Sequence, residues 1–174
     1  MNALDNMLTR RSCRNFSSRM PSEEDIREIA EAGSFAPTGM NRQSPIIIAV
    51  TNKRTRDEIS AMNAKIMGKD DGFDPFYGAP AILIVLADKN VPTHIYDGTL
   101  VMSNLMLAAH EKGLATCWIH RAREEFETPE GKALLASLCI SGDYEGIGHC
   151  ALGYAAAEPA PASPRKEGYI YYIK

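Results

Sequence analysis

The sequence predicts a sheet-based domain of α/β or α+β class, with helices packed against a layer of strands. Two continuous apolar runs carry that prediction: Ile46-Ile47-Ile48-Ala49-Val50 and Ala81-Ile82-Leu83-Ile84-Val85-Leu86-Ala87. Neither alternates with a period of two, as a strand with one wet face would, so each reads as a strand buried on both faces. Segments with helical spacing lie around and between them, at residues 22–33, 53–67 and 97–112. Strands alternating with helices assemble into a sheet covered by helices.

Taken in order, residues 3–9 read as a short helix leading into Arg10. Ser22 can cap a second helix, with Asp25 three positions on, Ile26, Ile29 and Ala30 at helical spacing and Gly33 as its stop. Pro45 to Thr51 is the first strand, 53–67 a helix, and Gly68 to Pro80 a loop rich in Gly and Asp that holds Phe73, Phe76 and Tyr77. The second strand is 81–87. Asp97 opens a helix that runs to Lys112 and ends at Gly113. Its apolar residues surround it on nearly all sides, which predicts burial between layers or across a subunit interface. Ala115 to Ile119 is a third strand, and Thr128-Pro129 starts another helix with Pro where its missing N–H costs nothing. Ile147 to Tyr154 and Tyr169 to Ile173 are the last strands. Between them, Ala155 to Pro164, with three prolines and five alanines, is an extended connection that leaves the final strand free to reach a partner chain.

At 174 residues the chain is most simply one domain, 1–174. Apolar content of 45%, charged content of 24% and a net charge of 19 − 22 = −3 are those of a globular protein with no global attraction to nucleic acid or anionic membrane. No apolar run is long enough to span a bilayer, and the first 16 residues, which carry Asp5, Arg10, Arg11 and Arg14, lack the apolar core of a signal peptide. The four cysteines are scattered without metal-like spacing, so reduced thiols in a cytoplasm are expected.

The chemistry is concentrated in local clusters. Arg10, Arg11 and Arg14 flank Ser12 in RRSCRNF (10–16), and Arg165-Lys166 form a second basic pair near the end. Guanidinium groups bind phosphate oxygens bidentately and keep their charge, so these clusters suit a small anionic ligand, with Arg165 and Lys166 able to complete the cage. In the loop APTGMNRQSP (36–45), Pro37 and Gly39 fix a turn that exposes Thr38 and Asn41. The Asn41 and Gln43 amides carry both donors and acceptors, as a pyrimidine-like ring edge requires. The four histidines show no metal-ligand spacing; His110 is expected to be a satisfied core group. His149 and Cys150 are adjacent on a strand, point to opposite faces and make no dyad. Neither GxGxxG nor GxxxxGK occurs, so no Rossmann cofactor site or P-loop is expected.

Four motifs in order, RRSxRxF, APTGMNRQSP, GLATCWIH (113–120) and ALGY…PRKEGYIYYI (151–173), resemble the FMN-dependent nitroreductase family over essentially the whole chain. The resemblance implies an α+β three-layer sandwich, its central and mainly antiparallel sheet flanked by helices, in an intertwined homodimer with a flavin at each end of the interface. It implies that Arg10, Arg11, Ser12 and Arg14 bind the FMN phosphate, ribityl chain and pyrimidine edge. Pro37, Thr38, Gly39, Asn41 and Gln43 would approach the same flavin from the other subunit. Trp118, Ile119 and His120 would pass the ring near N5, His120 mainly through its backbone, and Arg165 and Lys166 would bind the phosphate. Asn63 is a further candidate polar contact.

The implied activity is passage of hydride from NADH or NADPH through flavin N5 to nitroaromatics, quinones or similar acceptors, with no catalytic side chain required and no metal. The same resemblance leaves open specialised redox chemistry, dehalogenation or ring oxidation, and flavin binding without steady turnover. The segment Asp88 to Tyr96 is too brief for the helical lid of larger relatives. His120 and Arg121 stand where some relatives have an acidic residue and Gly, so the acceptor does not carry over.

Overall fold

The computed structural model describes residues 2–174, so residue 1 of the expected 1–174 unit lies outside the described residues. In chain order the elements are α1 (Ala3–Thr9), α2 (Glu23–Ser34), β1 (Pro45–Val50), α3 (Lys53–Ile66), β2 (Ala81–Asp88), α4 (His94–Glu111), β3 (Ala115–Ile119), α5 (Ala122–Glu127), α6 (Pro129–Ser137) and β4 (Tyr144–Gly153). The strands lie in the order β1-β2-β4-β3, and every neighbouring pair is antiparallel. Of the two classes the sequence left open, the fold is therefore α+β.

β2 explains the three layers. All of Ala81 to Ala87 is 0% exposed, yet its side chains alternate between two cores. Ile82, Ile84 and Leu86 pack with Ile59, Phe76, Phe126 and Leu135 beneath α3, α5 and α6. Ala81, Leu83 and Val85 pack with Ile26, Ile29, Met102 and Leu105 beneath α2 and α4. Each buried aliphatic side chain of this kind stabilises the fold by about 1.5–3 kcal/mol. On the second face, a Cβ at Gly33 would sit 2.5 Å from Leu105 Cδ2, so a larger residue there would force the Leu105 side chain to move.

Five elements differ from the expectations of the sequence; one is β4, which begins at Tyr144 rather than Ile147. β1 is an edge strand rather than one buried on both faces: Ala49 is exposed while Ile48 and Val50 are buried. α4 begins at His94, because Asp97 N–H already bonds Thr93 O at 2.9 Å and so belongs to the first turn. Its buried stripe is Val101, Met102, Leu105 and Ala109, whereas Tyr96 and Leu100 remain exposed in the single chain. α5 is an additional helix of six residues. Tyr169 to Ile173 form no strand within the chain and lie exposed.

Ser22 accepts from Asp25 N–H at 3.0 Å, and Thr128 caps α6 in the same way through Gly131 N–H, as the sequence predicts. No helix among the described residues is long and apolar enough to cross a membrane. No cluster of three or more His, Cys, Asp or Glu side chains suited to a metal ion occurs among them either.

Candidate functional site

After α1 the chain runs extended along the outer edge of β3. Ser12 forms a parallel bridge with Thr116, and Cys13 N–H donates to Thr116 O at 2.8 Å. Phe16 then pairs with Ala155, and its N–H bonds Tyr77 O at 3.3 Å. Cys13 and Phe16 face inward and are buried, which leaves Ser12 and Arg14 pointing outward by strand alternation. Two apolar anchors therefore hold a cationic segment in place.

The charges of that segment, on Arg10, Arg11 and Arg14, are not neutralised by any ion pair among the described residues. Arg11 donates Nη1 only to the carbonyls of Leu8 and Arg10, each at 2.7 Å. Nη1 of Arg10 is buried with no hydrogen-bond partner among the described residues. Nearby groups register the positive field: His110 is held below its ordinary pKa by burial and then by the charge of Arg10. Burial raises the Cys117 thiol pKa, with Arg14 as the leading opposing charge. His110 is only partly buried, so it is not the core group expected from sequence; its Nε2 lies 3.0 Å from Thr9 Oγ1.

The end of β3 belongs to the same region. Trp118 is half-buried, its Nε1 has no partner, and a Cβ on Gly148 would lie 2.3 Å from that atom. Ile119 points into the opposite core and His120 is exposed. Asn63 of α3 is fully enclosed; its Nδ2 donates to His120 O at 2.8 Å and its Oδ1 is unpartnered. In the single chain its amide thus fixes the backbone leaving β3. Arg121 follows in the left-handed region, φ 80°, and starts α5.

The second group lies elsewhere. Gly39–Asn41 form a single 3-10 turn, and Pro37, Asn41 and Gln43 are exposed. Met40, Asn41 and Gln43 have φ of 53°, 54° and 50°. Non-glycine residues other than Asn cost roughly 1–2 kcal/mol each in that region, so the loop needs support at Met40 and Gln43. Gln43 N–H bonds Thr38 Oγ1 at 3.0 Å, and Gln43 Nε2 reaches Asn41 Oδ1 at 3.3 Å. Asp97, 3% exposed, accepts from Gly39 N–H at 3.0 Å, from Ser44 Oγ at 2.9 Å and from Thr93 Oγ1 at 3.0 Å.

The single chain thus places Arg10, Arg11, Ser12 and Arg14 beside β3, on which Trp118, Ile119 and His120 follow, with the Asn63 amide bonded to His120 O. It does not bring Pro37, Thr38, Gly39, Asn41 and Gln43 to them, since that loop enters β1 at the opposite edge of the sheet. Three strand spacings of about 4.8 Å separate β1 from β3. Arg165 and Lys166 lie in the exposed tail: Arg165 Nη2 bonds Ser163 O at 2.7 Å, and Lys166 Nζ stands 5.8 Å above the Tyr169 ring. Neither forms an ion pair among the described residues. A cleft of about 1010 Å3 between α3, α6 and residues 69–74 touches none of these groups. Asp97 escaped the sequence reading as anything but a helix opener, because its partners Gly39 and Ser44 lie more than fifty positions upstream.

These features define an α+β sandwich with an uncompensated cationic strand at one sheet edge and a carboxylate-anchored loop at the other. The model of the family described as the Nitroreductase family matches residues 7–154, and the chain belongs to that family of oxidoreductases. Two crystal structures resemble it over 100% of both chains. A nitroreductase with bound FMN from Bacteroides fragilis is 27% identical with a TM-score of 0.89. Another, also with bound FMN, from Desulfitobacterium hafniense is 29% identical with a TM-score of 0.87. A protein of Methanothermobacter thermautotrophicus, described as "Putative NADH dehydrogenase/NAD(P)H nitroreductase", is 28% identical over 123 residues, 68% of this chain. The match spans 60% of that relative's length.

Proposed function

We propose that this chain is a cytoplasmic, FMN-dependent oxidoreductase. It passes hydride from NADH or NADPH, through flavin N5, to nitroaromatic, quinone or similar acceptors in a ping-pong cycle. The observation that carries this reading is the row of unneutralised guanidinium groups beside β3, with Arg10 Nη1 buried and unpartnered. A buried cationic donor without a partner is costly unless a ligand supplies the acceptor. A phosphate dianion fits that need, and the bound FMN of the two similar crystal structures supports the choice.

When bound, the flavin supplies the two-electron chemistry, and the protein supplies binding, orientation and electrostatics. Arg10, Arg11 and Ser12 hold phosphate and ribityl oxygens. Arg14 places positive charge where negative charge accumulates on reduction. The backbone of Trp118, Ile119 and His120 lines the ring, held in place by the Asn63 amide on His120 O. No side chain need donate a proton at the reacting centre.

The chain acts as a homodimer in this reading, because Pro37–Gln43 lie at the far edge from the arginines and serve the partner's flavin. Arg165 and Lys166 close the phosphate site from the tail.

The test is an absorbance spectrum of the purified protein, then anaerobic addition of NADH and, separately, NADPH. The expected result is a flavin spectrum that bleaches and recovers when a quinone or nitroaromatic is added. Flavin that neither nucleotide reduces would point to binding without turnover. Bleaching with recovery only on a halogenated or ring substrate would point to specialised redox chemistry. A colourless protein that takes up no added FMN would overturn the reading.

A further inference from the structure

We infer that Asp97 is a positioning residue for the flavin site, acting by holding the Thr38–Ser44 loop in the shape that meets the ligand. The inference rests on the proposed flavin reading. Asp97 lies in the first turn of α4 and is buried. A carboxylate is an acceptor only, with room for about four hydrogen bonds. Here Oδ1 takes Gly39 N–H at 3.0 Å, while Oδ2 takes Ser44 Oγ at 2.9 Å and Thr93 Oγ1 at 3.0 Å. One side chain thus ties residues 39 and 44 of the loop to one helix.

What lies between those two attachment points needs them. Met40, Asn41 and Gln43 all have positive φ and none is glycine. Backbone of this kind persists only where its surroundings over-determine it, and such strain gathers at ligand clamps. The bonds inside the loop, Gln43 N–H to Thr38 Oγ1 and Gln43 Nε2 to Asn41 Oδ1, join loop residues to one another and not to the body of the protein. Asp88 N–H donates to Ser44 O at 3.1 Å at the strand end, and Asp97 supplies a second attachment at Ser44 and the one at Gly39. Gly39 is required for it, since a Cβ there would stand 2.3 Å from Thr93 Oγ1 and push the amide away. The exposed Asn41 and Gln43 amides therefore reach the ligand already oriented, and the ordering cost is met in the apo fold rather than on binding.

The experiment compares apo wild type, Asp97→Ala and Asp97→Asn in FMN titrations, together with hydrogen exchange of the segment 36–46 without flavin. Asparagine can still accept Gly39 N–H through its oxygen, and its NH2 can donate to the Ser44 and Thr93 hydroxyls, so D97N is expected to bind FMN within about threefold of wild type. D97A is expected to raise the FMN Kd at least tenfold, about 1.4 kcal/mol. In D97A the 36–46 amides should exchange faster while β2 and β4 stay protected. Equal affinity in D97A and wild type overturns the proposal, as does a D97N loss as large as that of D97A.

Should D97A fail to fold, the double variant Ser44→Ala/Thr93→Val decides. It is expected to weaken FMN several-fold, and an unchanged Kd overturns the proposal. Wild type that takes up no FMN overturns the flavin reading instead. The exchange data on flavin-free D97A then still report whether Asp97 holds the loop.

Discussion

Nε2 of His149 on β4 lies 2.6 Å from Oε2 of Glu125 on α5, and the two side chains are 0% and 1% exposed. The alignment is not that of a hydrogen bond, and neither side chain has a hydrogen-bond partner among the described residues. The Phe76 ring packs against His149 at 5.2 Å between centroids. Two polar groups in an apolar layer thus face each other between β4 and α5, the helix that follows the His120 end of β3. Removing one partner of a buried pair costs about 3–5 kcal/mol, whereas replacing both by apolar groups is often neutral. Glu125→Ala should therefore lower the urea midpoint sharply, and Glu125→Leu/His149→Leu should recover much of the loss. A double variant no better than the single would show that the pair itself is not the source.

Asp74 should set part of the acid limb of stability. Burial pushes its pKa up, but Arg56 Nη2, Gly78 N–H at 2.7 Å and Ser60 Oγ at 2.8 Å outweigh that, and the net shift is downward. A depressed carboxylate adds stability above its unfolded value of 3.8, lost as pH falls through the lower folded value. Denaturant midpoints measured from neutral pH to pH 2 should fall on acidification, and less steeply in Asp74→Asn. The same slope in both proteins would remove Asp74 from that account.

The cysteines should divide cleanly by reactivity. Burial pushes the Cys150 thiol up to about 12, whereas Cys139 is exposed. Only a thiolate attacks an alkylating agent. Native protein treated with iodoacetamide at mildly alkaline pH should carry label on Cys139 and none on Cys150, read by peptide mass mapping. Label on Cys150 without unfolding would mean that the sheet opens far more readily than its packing implies.

How much of this was legible in the sequence depended on distance along the chain. The Ser22 and Thr128 caps involve neighbours and were readable. β2 was readable because both its faces are apolar. β1 carries an equally apolar run, yet the edge position that exposes Ala49 is decided by strand order, which no local pattern encodes. α5 was missed because six residues, three of them Glu, offer too short an apolar pattern; its place depends on Ala122 and Phe126 entering the core, which no local pattern encodes. The arginine cluster was visible as charge. That it runs along β3, while the 37–43 loop sits at the far edge, required the fold.

Arg14 tests the electrostatic part of the proposed function. It is exposed and makes no ion pair among the described residues, so Arg14→Ala should leave the fold intact. A hydrogen bond to a charged group contributes about 1.5–3 kcal/mol, and about 1.4 kcal/mol is tenfold in affinity. FMN should bind roughly tenfold or more weakly, and the flavin potential should fall because charge gained on reduction loses its counter-ion. Unchanged affinity together with unchanged potential would remove Arg14 from the site.

The tail gives the sharpest test of the proposed dimer. Tyr169, Ile170, Tyr171, Tyr172 and Ile173 are 66%, 67%, 85%, 79% and 103% exposed in the single chain. A contiguous apolar stretch of this kind marks an interaction surface. Among the described residues no strand lies beside the outer edge of β1, whereas the opposite edge is covered by Ser12 and Cys13. An open edge and a strand-like tail with no partner of its own are complementary if they belong to two chains, since backbone groups on an open edge accept an added strand. Deleting Tyr169 to Lys174 should then cost both association and flavin, because Arg165 and Lys166 lose the anchor beyond them and the 37–43 loop no longer faces a partner's arginines. Light scattering after gel filtration should give a monomer mass, and the absorbance should show little bound flavin even with FMN added during purification. Ile170→Asp/Tyr172→Asp, which keeps the length but not the apolar face, should do the same. A truncated protein that stayed yellow and dimeric would sink the two-chain site and return the search for the second half of the flavin pocket to residues of the same chain.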